Sequence, residues 1–597
     1  MNEFKSAPRS GAEMPPPGLA IGIDLGTTNS LIAVVRGTPP ADRLLPAAGP
    51  GQYIPDGPAR LTAELLQLPQ PELDGAVAEH TLFPSVVFQP EFGPRLVGMG
   101  AREAKFTQRK GRRVFYSVKR DMGKNCDPCD PAAITPELDT PVKVTAVILR
   151  AMRDAAEQKL GLSLANVPTV ITIPASFQSA QRRDTLHAAI SAGFSVDEHC
   201  LFDEPNAALL AYITRPRITS RWDAEETVLV FDFGGGTCDI SIIDVTRSPV
   251  NGTVTLKNVG VSRYEALGGD DIDRHLAHSL LAAAFYRASG KPEREWGSGE
   301  RRQSIYSQLY KIAELLKIRL CEELEKLTSA RPGWTPPDFA ALSVALPTQT
   351  IRTSAGPIQI EMPTLTGAEF IQVMAPFLDE RSSGDTEGEH YRLTSIFTPI
   401  RDALDKSRLK PVDITRVLLA GGSSRNPLVE RALQAFFKGG TVDRPDGLEF
   451  LVAEGAALQA HLKFVRKLDV LLPIAGDTIG LLTEGGKFEP LIRAGSSIPF
   501  PAEGSLDYRQ FRVPREGMTH VDLVLCAGSA SRPIHTVQLR FSKAVPQGAV
   551  VRLKVRFDDA KIFRLEADLP DQPGIRIAEN ISNPLALLPQ TAEERRR

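Results

Sequence analysis

The sequence has no apolar run that approaches the roughly 20 residues needed to cross a lipid bilayer. Its first 18 residues, MNEFKSAPRSGAEMPPPG, also lack the hydrophobic core of a secretory signal peptide. We therefore predict a cytoplasmic protein with a flexible leader over residues 1–18 and no membrane partner.

The sequence also has little net charge and few cysteines. The 70 Lys and Arg residues nearly balance the 72 Asp and Glu residues, whereas nucleic-acid-binding proteins usually carry a strong basic excess. Six cysteines in 597 residues are too few for a disulfide framework. Cys126 and Cys129 form one CxxC, but no second pair or nearby His completes a zinc site. We expect no nucleic-acid partner and no zinc site.

The GxxxxGK[ST] phosphate loop is also missing. Gly-Lys pairs begin at Gly123, Gly290 and Gly486. The residue after the Lys is Asn, Pro and Phe, respectively, and never Ser or Thr. A nucleotide site of the Walker type is therefore excluded. The length of 597 residues exceeds that of a single hydrophobic core, so we expect two or more domains.

The most informative stretch that is present covers residues 227–245, TVLVFDFGGGTCDISIIDV. Two apolar strands flank Gly234, Gly235 and Gly236, whose lack of a Cβ atom lets backbone N–H groups close on a phosphate. The polar residues beside these glycines are Asp232, Thr237 and Asp239. Taken alone, the GGGT stretch of this second hairpin favours an ordinary glycine hairpin over a phosphate loop.

The same pattern occurs about two hundred residues earlier, at residues 21–37, IGIDLGTTNSLIAVVRG. In this first hairpin a strand ends at Asp24, and the turn contains Gly26, Thr27, Thr28 and Asn29. Two such hairpins indicate an internal duplication, in which two lobes hold a nucleotide between them. A third loop, VLLAGGSSRNPLV at residues 417–429, again places glycines after an apolar strand.

Together these motifs resemble the ATPase fold shared by actin, sugar kinases and the DnaK-type seventy-kilodalton heat-shock chaperones. IDLGTTNS and GGGTCDISIID are most similar to the chaperones, and the resemblance extends over residues 18–570. It implies an α/β fold with a two-lobed actin/hexokinase-like ATPase domain over residues 19–465. An interdomain linker over residues 466–474 and a β-sandwich substrate-binding domain over residues 475–570 would follow.

The resemblance also implies roles for single residues. Lys119, in YSVKR, would stabilise charge on the transferred phosphoryl group. Glu204, in FDEPNAALLAY, would orient the attacking water and, with Asp24 and Asp232, hold Mg²⁺ through water. Thr237 completes the catalytic set. Without the resemblance, one Lys among Arg112, Arg113 and Arg120 is typical of a solvated surface.

ATP or ADP, with Mg²⁺ and K⁺ as a further candidate ion, would be held by all three loops and by one helix. The predicted nucleotide contacts are Gly26, Thr27, Thr28, Asn29, Gly234, Gly235, Gly236, Thr237, Asp239, Gly268, Gly269, Asp270, Glu314, Lys317, Cys321, Gly421, Gly422, Ser423 and Arg425. Glu314 and Lys317 would lie on one helix face. Arg425 would stack on the adenine.

Beyond residue 465, KLDVLLPI resembles the family's apolar linker, and short alternating strands follow it. The residues that the resemblance assigns to a peptide groove are Leu481, Thr483, Glu484, Phe511, Val521 and Leu523. An exposed strand edge beside such a groove would bind an extended hydrophobic peptide. A plain sandwich core accounts equally well for each of the apolar residues. Glu484 stands where the family has an apolar residue and would favour basic peptides.

Several features depart from the family. Residues 571–597 contain Pro573 and Pro584 and no long amphipathic helix, which predicts a tail without the helical lid and fast peptide release. Cys200, Asp203 and Ile474 replace residues that bind the J-domain co-chaperone, and Pro473 interrupts the linker. Residues 38–80 form an insertion, in which LTAELLQL predicts a short helix.

Pro174 and Arg182 match the family's nucleotide-sensing switch.

The predicted function is that of an ATP-dependent chaperone, which hydrolyses ATP to control its binding of extended hydrophobic segments of unfolded protein. A co-chaperone and a nucleotide exchange factor would be further partners. An ATP-regulated scaffold with little turnover remains an alternative, because every catalytic position is present in both cases. A small-molecule kinase is a third interpretation, but a kinase has no need of the linker and the β-domain.

Overall fold

The computed structural model describes most of the chain. The described residues are 16–37, 52–53, 61–107, 113–123, 137–248, 254–331, 333–381, 386–387, 392–472, 478–493 and 496–582, with gaps at 17, 178, 217, 219–221, 263–264, 469–470, 484, 497, 502–507, 559–561 and 573. The predictions for Cys126, Cys129, Pro473, Ile474 and Glu484, for most of the leader and for residues 583–597 lie outside them. No helix in these ranges is long and apolar enough to span a membrane.

The first third of the chain contains the first of the two glycine-containing hairpins, together with the strands and helices around it. Its elements are β1 (Leu19–Asp24), β2 (Asn29–Arg36), β3 (Gln52–Tyr53), β4 (Ala63–Leu65), β5 (Leu68–Pro71), β6 (Val77–His80), β7 (Phe83–Pro84), β8 (Val86–Phe88), β9 (Leu96–Val97), α1 (Met99–Arg102), α2 (Ala104–Thr107), β10 (Val114–Tyr116), α3 (Pro141–Leu160), β11 (Thr169–Ile173), α4 (Ser179–Ala192), β12 (Leu201–Asp203) and α5 (Glu204–Ile213).

The middle of the chain repeats the plan with larger insertions. Its elements are β13 (Glu225–Phe233), β14 (Cys238–Arg247), β15 (Val254–Val261), α6 (Gly269–Leu276), α7 (Ala282–Ser289), α8 (Ser298–Glu300), α9 (Tyr306–Ala330), α10 (Pro336–Ala340), β16 (Ser343–Ala345), β17 (Gln349–Thr353), β18 (Gly356–Ile360), β19 (Thr364–Thr366), α11 (Gly367–Met374), β20 (Thr386–Glu387), β21 (Arg392–Leu393), α12 (Phe397–Ser407), β22 (Arg416–Ala420), α13 (Pro427–Phe436), β23 (Thr441–Asp443), α14 (Leu451–Ala460) and β24 (Leu471–Leu472).

The two central sheets have the same topology. In the first lobe β1 pairs antiparallel with β2 and parallel with β11, in the order β12-β11-β1-β2-β4. In the second lobe β13 pairs antiparallel with β14 and parallel with β22, in the order β23-β22-β13-β14-β15-β24. The two-lobed α/β fold inferred from the repeated hairpin pattern is therefore confirmed.

Helices α5 and α14 pack against each other between the sheets, and α14 also packs on β1. Their contact is so close that a Cβ atom on Gly455 would lie 1.8 Å from the carbonyl oxygen of Ala207. Only glycine allows this approach. The pair fixes the relative position of the two hairpins, because α5 begins at Glu204 and α14 contacts the strand that ends at Asp24.

The predicted short helix LTAELLQL is wrong. Residues 63–65 form β4, which pairs antiparallel with β2, and residues 68–71 form β5, which pairs with β6. The segment lies beside an open sheet edge, so ladder hydrogen bonds with β2 outweigh its helix propensity.

The last part of the chain is a sandwich of two four-stranded sheets. Its strands are β25 (Ile479–Leu482), β26 (Phe488–Ile492), β27 (Tyr508–Arg512), β28 (Met518–Ala527), β29 (Pro533–Val545), β30 (Val550–Phe557), β31 (Ile562–Asp568) and β32 (Arg576–Ser582). The sheet orders are β26-β25-β28-β29 and β27-β30-β31-β32.

The predicted end of the sandwich at residue 570 is too early. Strand β32 pairs antiparallel with β31 along its whole length, and Ile581 is buried in the core between the sheets. Ile577, two turns of the pleat before Ile581, packs against the same core, so one face of this edge strand covers the sandwich interior. The prediction for Pro573 lies outside the described residues.

Candidate functional site

A cavity of about 400 Å³ opens between the two lobes, and both hairpins, the third loop, α6 and α9 line it. The predicted residues that line it are Asp24, Gly26, Thr27, Thr28, Asn29, Lys119, Glu204, Asp232, Gly234, Gly235, Gly236, Thr237, Gly269, Asp270, Glu314, Lys317, Cys321, Gly421, Gly422, Ser423 and Arg425. Residues separated by some four hundred positions in sequence therefore surround one space.

Two predicted residues lie just behind the cavity lining. Asp239 is buried and accepts a hydrogen bond of 2.7 Å from the hydroxyl of Ser176. Gly268 packs on the second hairpin, where an added Cβ atom would lie 2.3 Å from the carbonyl oxygen of Gly235. Both residues support the lining.

The second hairpin is held from several sides. The N–H of Gly234 donates to the carbonyl of Thr237 at 3.0 Å, which closes the turn. The N–H of Asp270 donates to the carbonyl of Gly235 at 2.9 Å, and the hydroxyl of Ser423 donates to that of Gly234 at 2.8 Å. These bonds fix the glycine backbone beside the cavity before any ligand binds.

The first hairpin contributes unsatisfied hydroxyls. Among the described residues, the buried side-chain oxygens of Thr27 and Thr28 have no hydrogen-bond partner. A buried polar atom without a partner costs free energy, so such atoms indicate a place for a ligand or water. Phosphate oxygens would accept hydrogen bonds from both hydroxyls. The hairpins therefore fit a phosphate-bearing ligand.

The floor of the cavity is acidic. Asp24, Glu204 and Asp232 line it, and Lys119 is bonded to Glu204 in a pair whose members are both buried. Asp24 accepts a hydrogen bond of 3.3 Å from Thr172. One ammonium thus faces several carboxylates, which leaves a local excess of negative charge.

Burial, together with this excess of negative charge, raises the pKa values of the carboxyl groups. Burial, then the charge of Glu204, raise the pKa of Asp24 to about 7, although Lys119 opposes them. The same two causes raise the pKa of Asp239 to about 7 and that of Asp232 well above its usual value. Burial alone would lower the pKa of Lys119, but Glu204 and Asp24 outweigh it, so the ammonium stays charged.

The carboxylates fit a hydrated magnesium ion. Within the described residues, no group of three His, Cys, Asp or Glu side chains could ligate a metal ion directly. Mg²⁺ dehydrates reluctantly and keeps several waters, so it is bound through few carboxylates and through phosphate oxygens. An acidic cavity floor opposite a phosphate cradle meets that requirement.

The raised pKa values give a test in the ligand-free protein. Folded Asp24 holds its proton up to about pH 7, whereas the unfolded group ionises near 3.8, so the folded state loses stability as pH rises between these values. Asp24→Asn should therefore stabilise the protein at pH 8 by about 1–3 kcal/mol. The difference in pKa sets an upper bound of about 4, which is reduced because Asp24 is partly exposed to the cavity.

Thermal unfolding of this variant from pH 5 to pH 8 checks the expectation. The gain in Tm should grow with pH and be smallest at pH 5. Asp571→Asn, in an exposed turn before β32, is the matched control and should show no such growth. A gain that is independent of pH would show that the charge of Asp24 is not the cause.

The opposite end of the cavity is built by α9 and the third loop. Lys317 donates to Asp273 at 2.9 Å and to the carbonyl of Gly269 at 3.3 Å. Arg425 is held by Glu449 at 3.0 Å and by Glu325 at 3.3 Å. Burial raises the pKa of Cys321 to about 12, so its thiol remains protonated at neutral pH.

Some cavity residues were not predicted. They are Leu31, Leu82, Ile272, Asp273, Ile318, Glu322, Glu325, Asn426, Glu449 and Val452. Ile318 and Glu325 lie four positions after Glu314 and Cys321 on α9, so the helical period would have found them. Leu82 and Glu449 reach the cavity through tertiary packing, for which the sequence has no local signal.

Two apolar residues of the predicted peptide groove lie in the sandwich core instead. Leu481 and Leu523 are 2% and 5% exposed in the core between the two sheets, and Phe511 and Val521 pack against the same core. Val521 and Leu523 alternate with Asp522 in β28, and that period turns them inward. The assignment of Leu481 and Leu523 to a groove is wrong, because both lie in the sandwich core. Phe511 and Val521 are only partly buried, so their assignment stays a prediction.

The remaining predicted groove position is in a turn. Thr483 lies between β25 and β26, where its N–H donates to the carbonyl of Lys487 at 2.8 Å.

The positions assigned to co-chaperone contact are also buried. Cys200 lies just before β12 and Asp203 is its last residue. Both are buried, and Asp203 faces Arg182 at 3.7 Å. Asp203 therefore serves an internal ion pair at the start of α5.

Comparisons with known proteins agree with this geometry. The sequence profile described as Hsp70 protein matches residues 74–330 and 390–539. The chain is 30% identical over 519 residues to a chaperone protein DnaK of Thermosipho africanus, covering 86% of this chain and 70% of the relative. It is 30% identical over 548 residues to a DnaK of Thermotoga petrophila, with 90% and 76% covered.

A chaperone protein HscA homolog of Laribacter hongkongensis is similar to the same extent. The identity is 30% over 565 residues, which cover 90% of this chain and 74% of that protein. All these matches extend over both the lobes and the sandwich.

Proposed function

Because this chain belongs to the Hsp70 family of chaperones, we propose that it binds and hydrolyses ATP between its lobes and uses this cycle to control the binding of unfolded polypeptide. The observation that carries the proposal is that one sheet contains both the hairpin that would bind phosphate and the linker strand that leads to the sandwich. The phosphate hairpin β13–β14 and the linker strand β24 belong to the same sheet, separated only by β15.

The phosphates would lie against the two hairpins. The hydroxyls of Thr27 and Thr28 and the glycine backbone at Gly234, Gly235 and Gly236 are the donors in reach of the cavity. The nucleoside would extend toward α9, where Lys317, Cys321 and Arg425 line the other end.

Asp24, Asp232 and Glu204 would hold Mg²⁺ through its waters. The ion would supply positive charge that neutralises the phosphate oxygens. It would also relieve the repulsion that raises the pKa values of these carboxyl groups in the ligand-free chain.

Lys119 and Glu204 would act together on the reacting groups. Their ion pair fixes the ammonium in the cavity. There it would stabilise charge that develops on the transferred phosphoryl group. Glu204 has a raised pKa because of its burial, and it would orient the attacking water with its carboxylate.

Coupling to polypeptide would pass through the linker. Leu471 and Leu472 pair parallel with Leu256 and Lys257. A change in the second-lobe sheet would therefore be transmitted to the chain that enters the sandwich. We propose the cytoplasm as the location and co-chaperones as further partners. The burial of Cys200 and Asp203 argues against direct contacts of a co-chaperone with these two side chains.

Steady-state ATP hydrolysis with and without an unfolded hydrophobic peptide tests this function. We expect turnover that requires Mg²⁺ and that changes when peptide is added, because one sheet carries both the hairpin and the linker. ATP binding without measurable turnover would favour the regulated scaffold instead. Turnover that responds only to a small-molecule phosphate acceptor would favour a kinase.

A further inference from the structure

The outer edge of β15 pairs with two different segments of the chain. One edge of β15 pairs with β14. On the other edge, Leu256 and Lys257 pair with the linker strand β24, while Val254 and Thr255 pair with β3. Strand β3 comes from the insertion between β2 and β4, so a segment that follows the first-lobe hairpin adds a strand to the second lobe.

The two segments meet end to end. Strand β24 runs parallel to β15, with Leu471 opposite Leu256 and Leu472 opposite Lys257. Strand β3 runs antiparallel, with Gln52 opposite Thr255 and Tyr53 opposite Val254. A linker strand that continued backward in the same register would pair its two preceding residues with Thr255 and Val254. Those two positions are taken by β3.

A backbone position on a strand edge pairs with one neighbouring strand at a time, because its N–H and C=O groups point in a single direction. Strand β3 and a longer linker strand therefore exclude each other at Val254 and Thr255. Both segments are tethered to the same chain, so this competition is intramolecular and independent of protein concentration.

We propose that β3 competes with the interdomain linker for the edge of β15 and keeps the linker from pairing at Val254 and Thr255. The edge is thus an interaction surface for extended backbone, and its second occupant is the chain's own insertion. Release of β3 would free this part of the edge, and each ladder bond that the linker then adds would hold it more tightly. The competition between β3 and the linker does not depend on the proposed function. Only its effect on the coupling between nucleotide binding and peptide binding rests on that function.

The test is hydrogen exchange of the linker amides, residues 466–474, in the nucleotide-free full chain. The double variant Gln52→Pro/Tyr53→Pro removes both backbone donors of β3 and prevents its pairing whichever of them faces the edge. The matched control Gln52→Thr/Tyr53→Val keeps the donors and the strand propensity.

We expect exchange of the linker amides to slow about fivefold or more in the proline variant, since two further residues can join the strand, and to stay at the parental rate in the control. Unchanged exchange in the proline variant would overturn the competition. Faster exchange would also overturn it, because β3 would then support the linker instead of limiting it.

A second variant holds β3 in place. Gln52 and Thr255 are directly opposed, at a spacing that suits a disulfide, so Gln52→Cys/Thr255→Cys can be cross-linked by oxidation. The oxidised protein should exchange its linker amides at least as fast as the reduced one. Slower exchange after oxidation would contradict the proposal. Neither experiment needs ATP hydrolysis, so absence of ATPase activity would refute the proposed function and leave these results interpretable.

Discussion

Lys119→Ala should slow ATP hydrolysis by about 10²- to 10³-fold and change ATP affinity by no more than several-fold. The loss of one preorganised donor that faces developing charge typically has this effect on the rate. Lys119 is the ammonium bonded to Glu204 in the floor of the cavity, and both side chains are buried. Because its contribution is greatest when charge develops on the transferred group, binding should suffer less than turnover.

Single-turnover hydrolysis and equilibrium binding of ATP measure the two effects separately. Lys159→Ala is the matched control, since Lys159 lies on the surface and pairs only with Glu79 at 2.6 Å among the described contacts. Removing Lys119 also leaves Glu204 buried without its partner, so a thermal melt must show that the variant is folded. Hydrolysis by Lys119→Ala at the parental rate would show that the role is misassigned.

Gly235→Val should weaken nucleotide binding by about 10- to 100-fold. A Cβ atom at this position would lie 2.1 Å from the hydroxyl of Thr28 and 2.9 Å from its Cβ. Rotation of Thr28 relieves the first contact but not the second, so the hairpins must move apart. Overpacking of this kind typically costs about 1–3 kcal/mol, which corresponds to the expected loss of affinity.

Calorimetric titration with ADP and Mg²⁺ measures this loss without hydrolysis. Gly299→Ala is the control, because a Cβ atom there meets nothing within 4 Å and Gly299 is remote from the cavity lining. Binding by Gly235→Val within threefold of the parental affinity would contradict the assignment of the second hairpin to the phosphates.

Local patterns in the sequence locate the two hairpins that line the cavity. Asp24 ends β1 and Asp232 is the penultimate residue of β13, so the strand–turn–strand pattern alone places both at the mouth of a hairpin. The duplication then requires the two hairpins to face each other. Glu325 and Glu449, which hold Arg425, come from different elements, and only tertiary packing shows that they meet.

The wrong predictions also have their cause in tertiary packing, which the local sequence pattern does not show. LTAELLQL has good helix formers, but a free edge of β2 converts part of it into strand. Leu481 and Leu523 resemble groove residues in sequence, yet inward-facing positions of a sandwich have the same apolar character. Strand β3 has no signal at all, since two residues pair with β15 only because the fold brings that edge within reach.

The most direct test of the account is the release of a fluorescent unfolded peptide, followed by stopped flow after addition of ATP and Mg²⁺. If the nucleotide cavity controls the sandwich through the β15–β24 pairing, ATP should speed release by about two- to tenfold in the parental protein, which corresponds to a small coupling free energy. Gly235→Val should show no acceleration at the same ATP concentration. A release rate that ATP leaves unchanged in the parental protein, under conditions where ATP is bound, would contradict the central claim.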